Sequence, residues 1–282
     1  FSLELPELFT VTSPEYAAMH AAWHKAVKVL PVYSILHKQD WFIRESYRPE
    51  LGKDDLSFLD RSYERHFNER PFLHHSVYLC LTKTTKQRMA QRSDFSTLCR
   101  GTLLPKEVRE RDAVLKFLEA VDQFERIIND SGCMRLRRLS ADEIAGTNDK
   151  RGLLDRYLSL RDDAAGTLED LRLGSDEVRI GDQILCLHTL SDTDDLPAAV
   201  ATDGRYERLS TDRSDCRLSF AAPVGLMLPC NHIYNQYLFI DDSEENLKRF
   251  EKQARNMLSL ARFSRSNQIN REWIEEYLNV AH

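Results

Sequence analysis

The sequence predicts an α+β fold, a mixed α/β arrangement of helices and strands without a P-loop core. Apolar side chains recur at spacings of three and four in several long segments, as in amphipathic helices, and the shorter segments between them are rich in Val, Tyr and Leu. The two kinds of segment are interleaved along the whole chain. A polar connector at Arg161–Glu169 is a candidate boundary between two subdomains, residues 1–161 and 170–282, and the alternative is one large domain.

The first predicted helix has clear signals at both ends. Ser13 lies where an N-cap belongs, Pro14 takes the first helical position, and Glu15 favours the positive end of the helix dipole. Pro31 ends the helix because proline lacks the backbone N–H that the next turn requires. The apolar stripe between these ends consists of Met19, Trp23, Ala26, Val27 and Leu30.

The rest of the chain continues to alternate between strands and helices. Ser34–Ile43 has apolar side chains on both faces, which indicates an interior strand. Residues 55–68 predict a helix with Leu56, Leu59, Tyr63 and Phe67 on one side. The remaining predicted elements are a strand at 73–81, a helix at 106–129, a strand at 133–139, a short helix at 153–158, a hairpin of 178–180 and 184–190 that turns at Gly181-Asp182, strands at 216–221 and 233–240, a helix capped by Asp242, and a last helix from Asn270.

Composition and charge narrow the class of protein. A net charge of -6 argues against non-specific attraction to nucleic acid. The six cysteines have no short paired spacings, which is the usage of a reducing compartment. No run of about 20 apolar residues predicts a transmembrane helix. The chain starts at Phe1 and stops within a helical pattern at His282, so we expect the natural protein to extend further.

The sequence carries no motif for nucleotide binding or catalysis. A P-loop has a glycine five positions before its Gly-Lys pair and Ser or Thr after it. The pair Gly52-Lys53 is followed by Asp54 and has Tyr47 at the earlier position. A dinucleotide fingerprint and a nucleophile elbow are also missing. We therefore expect that this chain is not an enzyme by itself and binds no cofactor.

Two patterns bear a weak likeness to metal sites. His20 and His24 are four residues apart on the first helix, but Ala21 stands where the zinc-protease pattern needs Glu. Cys186-x-His188 and Cys230-x-His232 place two ligands on one face of each of two predicted strands. Exposed helix histidines, buried cysteines and strand histidines explain both patterns without metal. We therefore predict no metal site.

Two arginine clusters leave nucleic-acid contact open as an alternative. Either cluster is able to contact phosphates, although clusters of three are common on ordinary surfaces and the chain is not basic overall. The first cluster contains Arg135, Arg137 and Arg138, and the second contains Arg262, Arg265 and Arg271.

Six segments that together extend over nearly the whole chain resemble one family. Their sequences and their order look like those of the N-terminal region of TraG-type conjugative-transposon ATPases of Bacteroides and its relatives. The segments are His37–Ile43, Glu64–Phe72, Leu81–Lys86, Ser210–Gly225, Cys230–Tyr237 and Arg265–Asn270.

The resemblance implies a place in conjugative type IV secretion. Such proteins are similar to the energising ATPase at the cytoplasmic base of the channel, peripheral at the inner membrane. Their P-loop lies in a C-terminal domain, so a Gly-x-x-x-x-Gly-Lys-Ser/Thr motif that binds ATP and Mg is expected beyond His282. The partners implied are other channel proteins, the protein's own C-terminal ATPase domain and further copies of itself.

We therefore predict a non-catalytic assembly or interaction domain that docks or oligomerises a conjugation motor. The alternative is a nucleic-acid-contacting domain that guides the transferred DNA. Trp41 is one aromatic considered as an interface anchor, although each such aromatic is also explained by core packing. Asp212, Arg213 and Asp215 belong to a loop that fits either an internal salt-bridge cluster or a partner contact. The residues predicted for interaction are Asp212, Arg213, Asp215, Tyr234, Tyr237 and Trp273.

Overall fold

Helices and antiparallel strands alternate through the described part of the chain, which confirms the predicted mixed α+β class. The protein is described here by a computed structural model. The residues that it describes are 1–7, 10–47, 57–86, 109–147, 150–160, 170–181, 183–189, 192, 201–219, 228–260 and 272.

The predicted elements that lie in the described ranges occur in the predicted order, and four short elements are present in addition. The helices are α1 (Ser13–Val27), α2 (Phe58–Asn68), α3 (Arg111–Asp130), α4 (Ala141–Ala145), α5 (Leu153–Ser159) and α6 (Ser243–Leu260). The strands are β1 (Ser2–Glu4), β2 (Ser34–Glu45), β3 (Phe72–Lys83), β4 (Arg135–Arg137), β5 (Leu171–Leu173), β6 (Val178–Ile180), β7 (Gln183–Leu185), β8 (Gly204–Arg205), β9 (Arg217–Leu218) and β10 (His232–Ile240).

The largest sheet has five strands in the order β10-β2-β3-β1-β4. β2 therefore lies inside the sheet, as its apolar faces predict. β1 pairs antiparallel with both β3 and β4, and Leu3 lies opposite Val77 on one side and Leu136 on the other. These three side chains share a face and are all buried, because directly opposed residues of a sheet point the same way.

The core combines this row of side chains with two helices. Phe124 and Ile128 of α3 and Ala26 of α1 are completely buried. Trp23 of α1 meets the Phe124 ring edge to face, with the ring centroids 6.0 Å apart. Burial of the stripe that contains Trp23 and Ala26 agrees with the period predicted for the first helix.

Some predicted boundaries are wrong by a few residues. α1 is capped by Thr12 rather than Ser13, since the Glu15 carboxylate accepts hydrogen bonds from the Thr12 N–H at 2.7 Å and the Thr12 hydroxyl at 2.8 Å. The hairpin with positive φ at Gly181 is present, but its second strand ends at Leu185 rather than 190. β1 was not predicted, because three residues are too few to show a period of two.

The chain divides into two compact units built from separate segments. The first comprises Phe1–Val29, His37–Cys80 and Val121–Tyr237, and the second comprises Leu30–Leu36, Leu81–Ala120 and Leu238–His282. The predicted connector, residues 161–169, and the last helix from Asn270 lie outside the described residues, apart from Glu272. The predicted subdomain boundary stays a prediction.

The backbone of Tyr33 links two other segments in the described part of the second unit. Its N–H donates to the Ile240 carbonyl at 2.6 Å, and its carbonyl accepts from the Thr84 N–H at 2.9 Å. The residue has a φ of 63°, which is uncommon for a residue other than glycine. In the same unit, Asp242 caps α6 by accepting from the N–H groups of the first turn, and Lys86 pairs with Glu245.

A side-chain amide caps the edge of the sheet at β4. Asn129 of α3 accepts from the Leu136 N–H at 2.7 Å and donates to the Leu136 carbonyl at 3.1 Å. One carboxamide thus pairs both backbone groups that would otherwise be offered to another strand. Exposed strand edges are templates for pairing with other chains, so this contact protects the sheet.

The cap predicts a specific stability loss in Asn129→Leu. We expect the free energy of unfolding to fall by about 1–2 kcal/mol, because two hydrogen bonds worth about 1 kcal/mol each are lost. Urea unfolding followed by circular dichroism measures the change. Gln123→Leu, at an exposed site on the same helix, is the matched control and is expected to change stability little. Equal stability of the Asn129 variant and the control would contradict the capping role.

Candidate interaction surface

α2 carries an apolar stripe that faces away from the protein. The helix starts at a capping box, in which Ser57 Oγ accepts from the Asp60 N–H at 3.2 Å and Asp60 accepts from the Ser57 hydroxyl at 2.7 Å. Leu59, Tyr63 and Phe67, four residues apart, lie on one side of it. They are 77%, 68% and 42% exposed, and α2 has no buried residue. The stripe is therefore available for binding.

Aromatic rings extend this stripe. Tyr63 and Phe67 contact each other with centroids 4.6 Å apart, and Tyr47 meets Phe67 edge to face at 6.3 Å. Phe58 at the start of the helix is 82% exposed. Contiguous exposed apolar patches on soluble proteins mark interaction sites more often than single exposed side chains do.

The polar side chains of α2 are arranged around the stripe. Arg65 pairs with Glu69 at 3.3 Å, and Arg70 contacts the His66 ring with Nη1 and Nε2 3.0 Å apart. Glu64 is less exposed than its neighbours, and its Oε1 is covered without a hydrogen-bond donor in the described part of the chain. A covered carboxylate oxygen without a donor is costly, so this contact lowers the stability of the fold.

The two predicted interface tyrosines of β10 do not form one patch. Tyr234 is half-buried and Tyr237 is 56% exposed. Because they are three residues apart in a strand, they point to opposite faces of the sheet. The Tyr237 ring stacks on His37 of β2 with centroids 4.1 Å apart.

The loop that contains Asp212, Arg213 and Asp215 contributes one of these residues to an internal ion-pair cluster. Asp215 pairs with Arg205 at 3.1 Å and lies 3.9 Å from Arg217, so it belongs to an internal ion-pair cluster. Asp212 and Arg213 are exposed, and neither has an ion pair within the described residues. The loop remains a predicted contact only at these two side chains.

Trp41 is not an exposed anchor. It is 1% exposed, contacts Tyr78 edge to face at 4.9 Å and lies 5.9 Å from the Tyr157 ring. The indole fills the interior because β2 is covered on both faces at this position, which is the core-packing role considered from the sequence. Trp273 lies outside the described residues.

The first arginine cluster is largely neutralised. Arg137 pairs with Glu143 at 2.9 Å, and Arg138 pairs with Asp122 and with Glu125. The Arg137 hydrogen bond is the main reason that the pKa of Glu143 is lowered to about 2. Arg135 is exposed and has no ion pair among the described residues. The second cluster, Arg262, Arg265 and Arg271, lies outside them.

The residues considered for metal binding are not assembled into a site in the described part of the chain. Cys186 and His188 are exposed and follow the end of β7, so they do not share a strand. Across the described ranges no three His, Cys, Asp or Glu side chains are placed to hold an ion. His232 instead stacks on Phe42 at 4.7 Å, with its Nδ1 2.8 Å from the Cys230 carbonyl. His20 and His24 are exposed.

A buried carboxylate links β2 to β3. Asp40 is 6% exposed, contacts Lys38 and accepts from His75 Nε2 at 2.9 Å, while the His75 ring stacks on Phe42 at 4.5 Å. Burial by itself would raise the pKa of the Asp40 carboxyl, but the His75 and Lys38 contacts hold that pKa below its ordinary value. This cluster fixes the strand pair and was not predicted from the sequence.

Comparison with known proteins gives one short match. A family model described as "Domain of unknown function, B. Theta Gene description (DUF3875)" matches residues 1–21. These residues include β1 and the first half of α1. No curated protein and no solved structure matches the chain.

The Asp40 cluster predicts an acid-dependent stability difference. We expect Asp40→Asn to lower the free energy of unfolding by about 1.5–3 kcal/mol at pH 7, the range for hydrogen bonds to charged groups. Because the folded pKa of Asp40 is lowered, this contribution is complete above about pH 4 and is lost as pH falls through the folded value. Denaturant unfolding between pH 2 and 7 should show the two proteins converging at low pH.

The exposed Asp212→Asn is the matched control for this measurement. Its stability is expected to follow that of the unmodified protein throughout the range. A difference between Asp40→Asn and the unmodified protein that stays constant down to pH 2 would rule out the paired, ionised carboxylate.

Proposed function

We propose that this chain is a non-catalytic assembly domain of a conjugative-transfer ATPase, where it docks or oligomerises the motor at the secretion channel. The observation that carries the proposal is the outward apolar stripe of α2. The resemblance of six segments to TraG-type proteins is the reason for assigning the domain to the conjugation machinery in this proposal. The short family match at residues 1–21 agrees with a Bacteroides protein.

The exposed stripe has an energetic cost that a partner would remove. Full burial of one Leu or Phe side chain contributes about 1.5–3 kcal/mol. Leu59 and Tyr63 leave most of their surface in water. An isolated helix of 11 residues is also marginal without packing on its apolar face. A partner that covers the stripe would therefore stabilise both the complex and the helix.

The proposal places the domain next to a nucleotide-binding domain in the same protein. ATP and Mg would bind to that C-terminal domain, and the partners would be channel proteins, the motor domain or further copies of the chain. The domain would lie in the cytoplasm at the inner membrane. No helix in the described ranges combines the length and apolar character that membrane crossing requires.

Contact with transferred DNA is the weaker candidate. Arg137 and Arg138 already pair with acidic side chains, and phosphate would have to compete with those pairs. In the described part of the first cluster this leaves Arg135 as the arginine without an ion pair. A single exposed arginine is a small electrostatic footprint for a nucleic-acid surface.

The assembly role predicts a loss of conjugative transfer when the stripe is made polar. In cells whose transfer element encodes the full-length protein, Leu59→Ser combined with Tyr63→Ser should lower the frequency of DNA transfer at least tenfold, since apolar anchors dominate binding energy. Protein abundance is measured in parallel by immunoblot.

Leu187→Ser is the matched control, because Leu187 is 82% exposed and does not belong to α2. Its transfer frequency is expected to stay within twofold of the unmodified protein. Unchanged transfer in the α2 variant at normal abundance would overturn the proposal. An equal loss in the control would do the same.

The proposal also predicts the behaviour of the purified chain. We expect no ATP turnover above that of a mock preparation, and no micromolar binding of single-stranded DNA whose affinity falls steeply with salt. Fluorescence anisotropy at several salt concentrations measures the second property. Tight binding with a steep salt slope that Arg135→Ala reduces would favour the DNA-contacting function instead.

A further inference from the structure

A hydrogen-bond network on the sheet face that carries Trp41 ends at an exposed amide. Trp41 Nε1–H can only donate, and it lies 3.3 Å from Gln39 Oε1. This contact orients the Gln39 amide, whose Nε2 donates to Asn235 Oδ1 at 2.9 Å, and His37 Nε2 lies 2.9 Å from the same oxygen. Asn235 is exposed, and its Nδ2 has no acceptor among the described residues. The network therefore ends in N–H donors that are available to a ligand.

An aromatic ring lies beside these donors. Tyr237 is two residues from Asn235 in β10, so both side chains are on the same face, about 7 Å apart along the strand. The Tyr237 ring stacks on the His37 ring, with centroids 4.1 Å apart and an interplanar angle of 13°. Tyr237 nevertheless remains 56% exposed. Because His37 contacts both the ring and the amide, these two groups are held in a fixed relative position.

A second tyrosine is close to Tyr237. Tyr157 of α5 is 46% exposed, and its ring lies 5.9 Å from that of Trp41. Partial burial raises the pKa of the Tyr237 hydroxyl, and the nearby Tyr157 raises that pKa further. Two partly exposed rings therefore flank the same part of the sheet.

The surroundings of this site carry little charge. On this face of the described strands β2, β3 and β10, the only Asp, Glu, Lys or Arg is Glu45, the last residue of β2. Lys38 points to the opposite face, where it contacts Asp40. Arg156 of α5 lies over the ring of Trp41, 5.9 Å from its centroid. A neutral ligand therefore fits better than a nucleic acid, whose phosphates bind to several cations.

We propose that Asn235 and Tyr237 bind a proline-rich segment of a partner protein. Proline has no backbone N–H, so such a segment brings carbonyl acceptors for the Asn235 amide without adding unpaired donors. Its polyproline II conformation rises about 3.1 Å per residue, so a ring and a carbonyl two residues apart span about 6 Å, close to the spacing of Tyr237 and Asn235. Aromatic surfaces bind these segments at low entropic cost because the conformation is preformed. The site lies on the sheet, so the inference is independent of the role proposed for α2.

A labelled decaproline peptide tests the site. Fluorescence anisotropy with the purified full chain should show saturable binding. Asn235→Asp keeps the oxygen that His37 and Gln39 contact but removes the exposed donors, so binding should weaken about two- to tenfold, the range for one neutral hydrogen bond. Tyr237→Ala should weaken binding about tenfold, whereas Tyr237→Phe, which keeps the ring, should stay within about twofold. Circular dichroism checks the fold of each variant.

Several results would overturn the proposal. They are no saturable binding at millimolar decaproline, an unchanged affinity in Asn235→Asp, and equal binding of a Gly-Ser peptide of the same length. Binding of oligothymidine that Tyr237→Ala abolishes, without binding of decaproline, would assign the site to a nucleobase instead. The chain with Leu59→Ser and Tyr63→Ser should bind decaproline normally, and a loss there would place the peptide on α2. Failure of decaproline binding leaves the transfer test of α2 unaffected.

Discussion

Three residues of β1 join β4 to the rest of the large sheet. In the sheet order, β1 is the strand between β3 and β4, and Leu3 fills the space between Val77 and Leu136. The Leu79 N–H donates to the Phe1 carbonyl at 2.9 Å, which continues the pairing to the start of the chain. Without this strand, the row of buried side chains beside α1 and α3 would be interrupted. The position of β4 therefore depends on a contact between residues more than 130 positions apart in the sequence.

α3, the helix after β3, contributes to the same part of the sheet in two ways. α3 places Phe124 and Ile128 in the core and, one residue further, uses Asn129 to pair the outer backbone groups of β4. Helix burial and edge protection therefore come from successive residues on the last turns of a single helix. This arrangement allows the sheet to end at β4 with only three residues in the strand, because no further strand is needed to pair Leu136.

Local periodicity was sufficient to predict most elements but not which surfaces they cover. The stripe of α1 and the stripe of α2 have the same spacing, yet Ala26 is buried and Leu59 is 77% exposed. Trp41 illustrates the converse, since an aromatic considered as an exposed anchor is almost fully buried. Burial depends on which segments meet in space, and pairings such as Leu3 with Val77 or Asp40 with His75 join residues whose separation leaves no trace in a local pattern.

The unequal exposure of α1 and α2 has a physical explanation in the composition of the first unit. The core of this unit already contains Phe124 and Ile128 from α3 and Ala26 from α1. All three side chains are completely buried. Protein interiors are generally close-packed, so a third apolar helix would not fit into the same place without displacing these side chains. The apolar side chains of α2 are then in excess of what the unit can bury. Such an excess is unfavourable in an isolated monomer and is favoured where another protein covers it, so it supports the proposed assembly role.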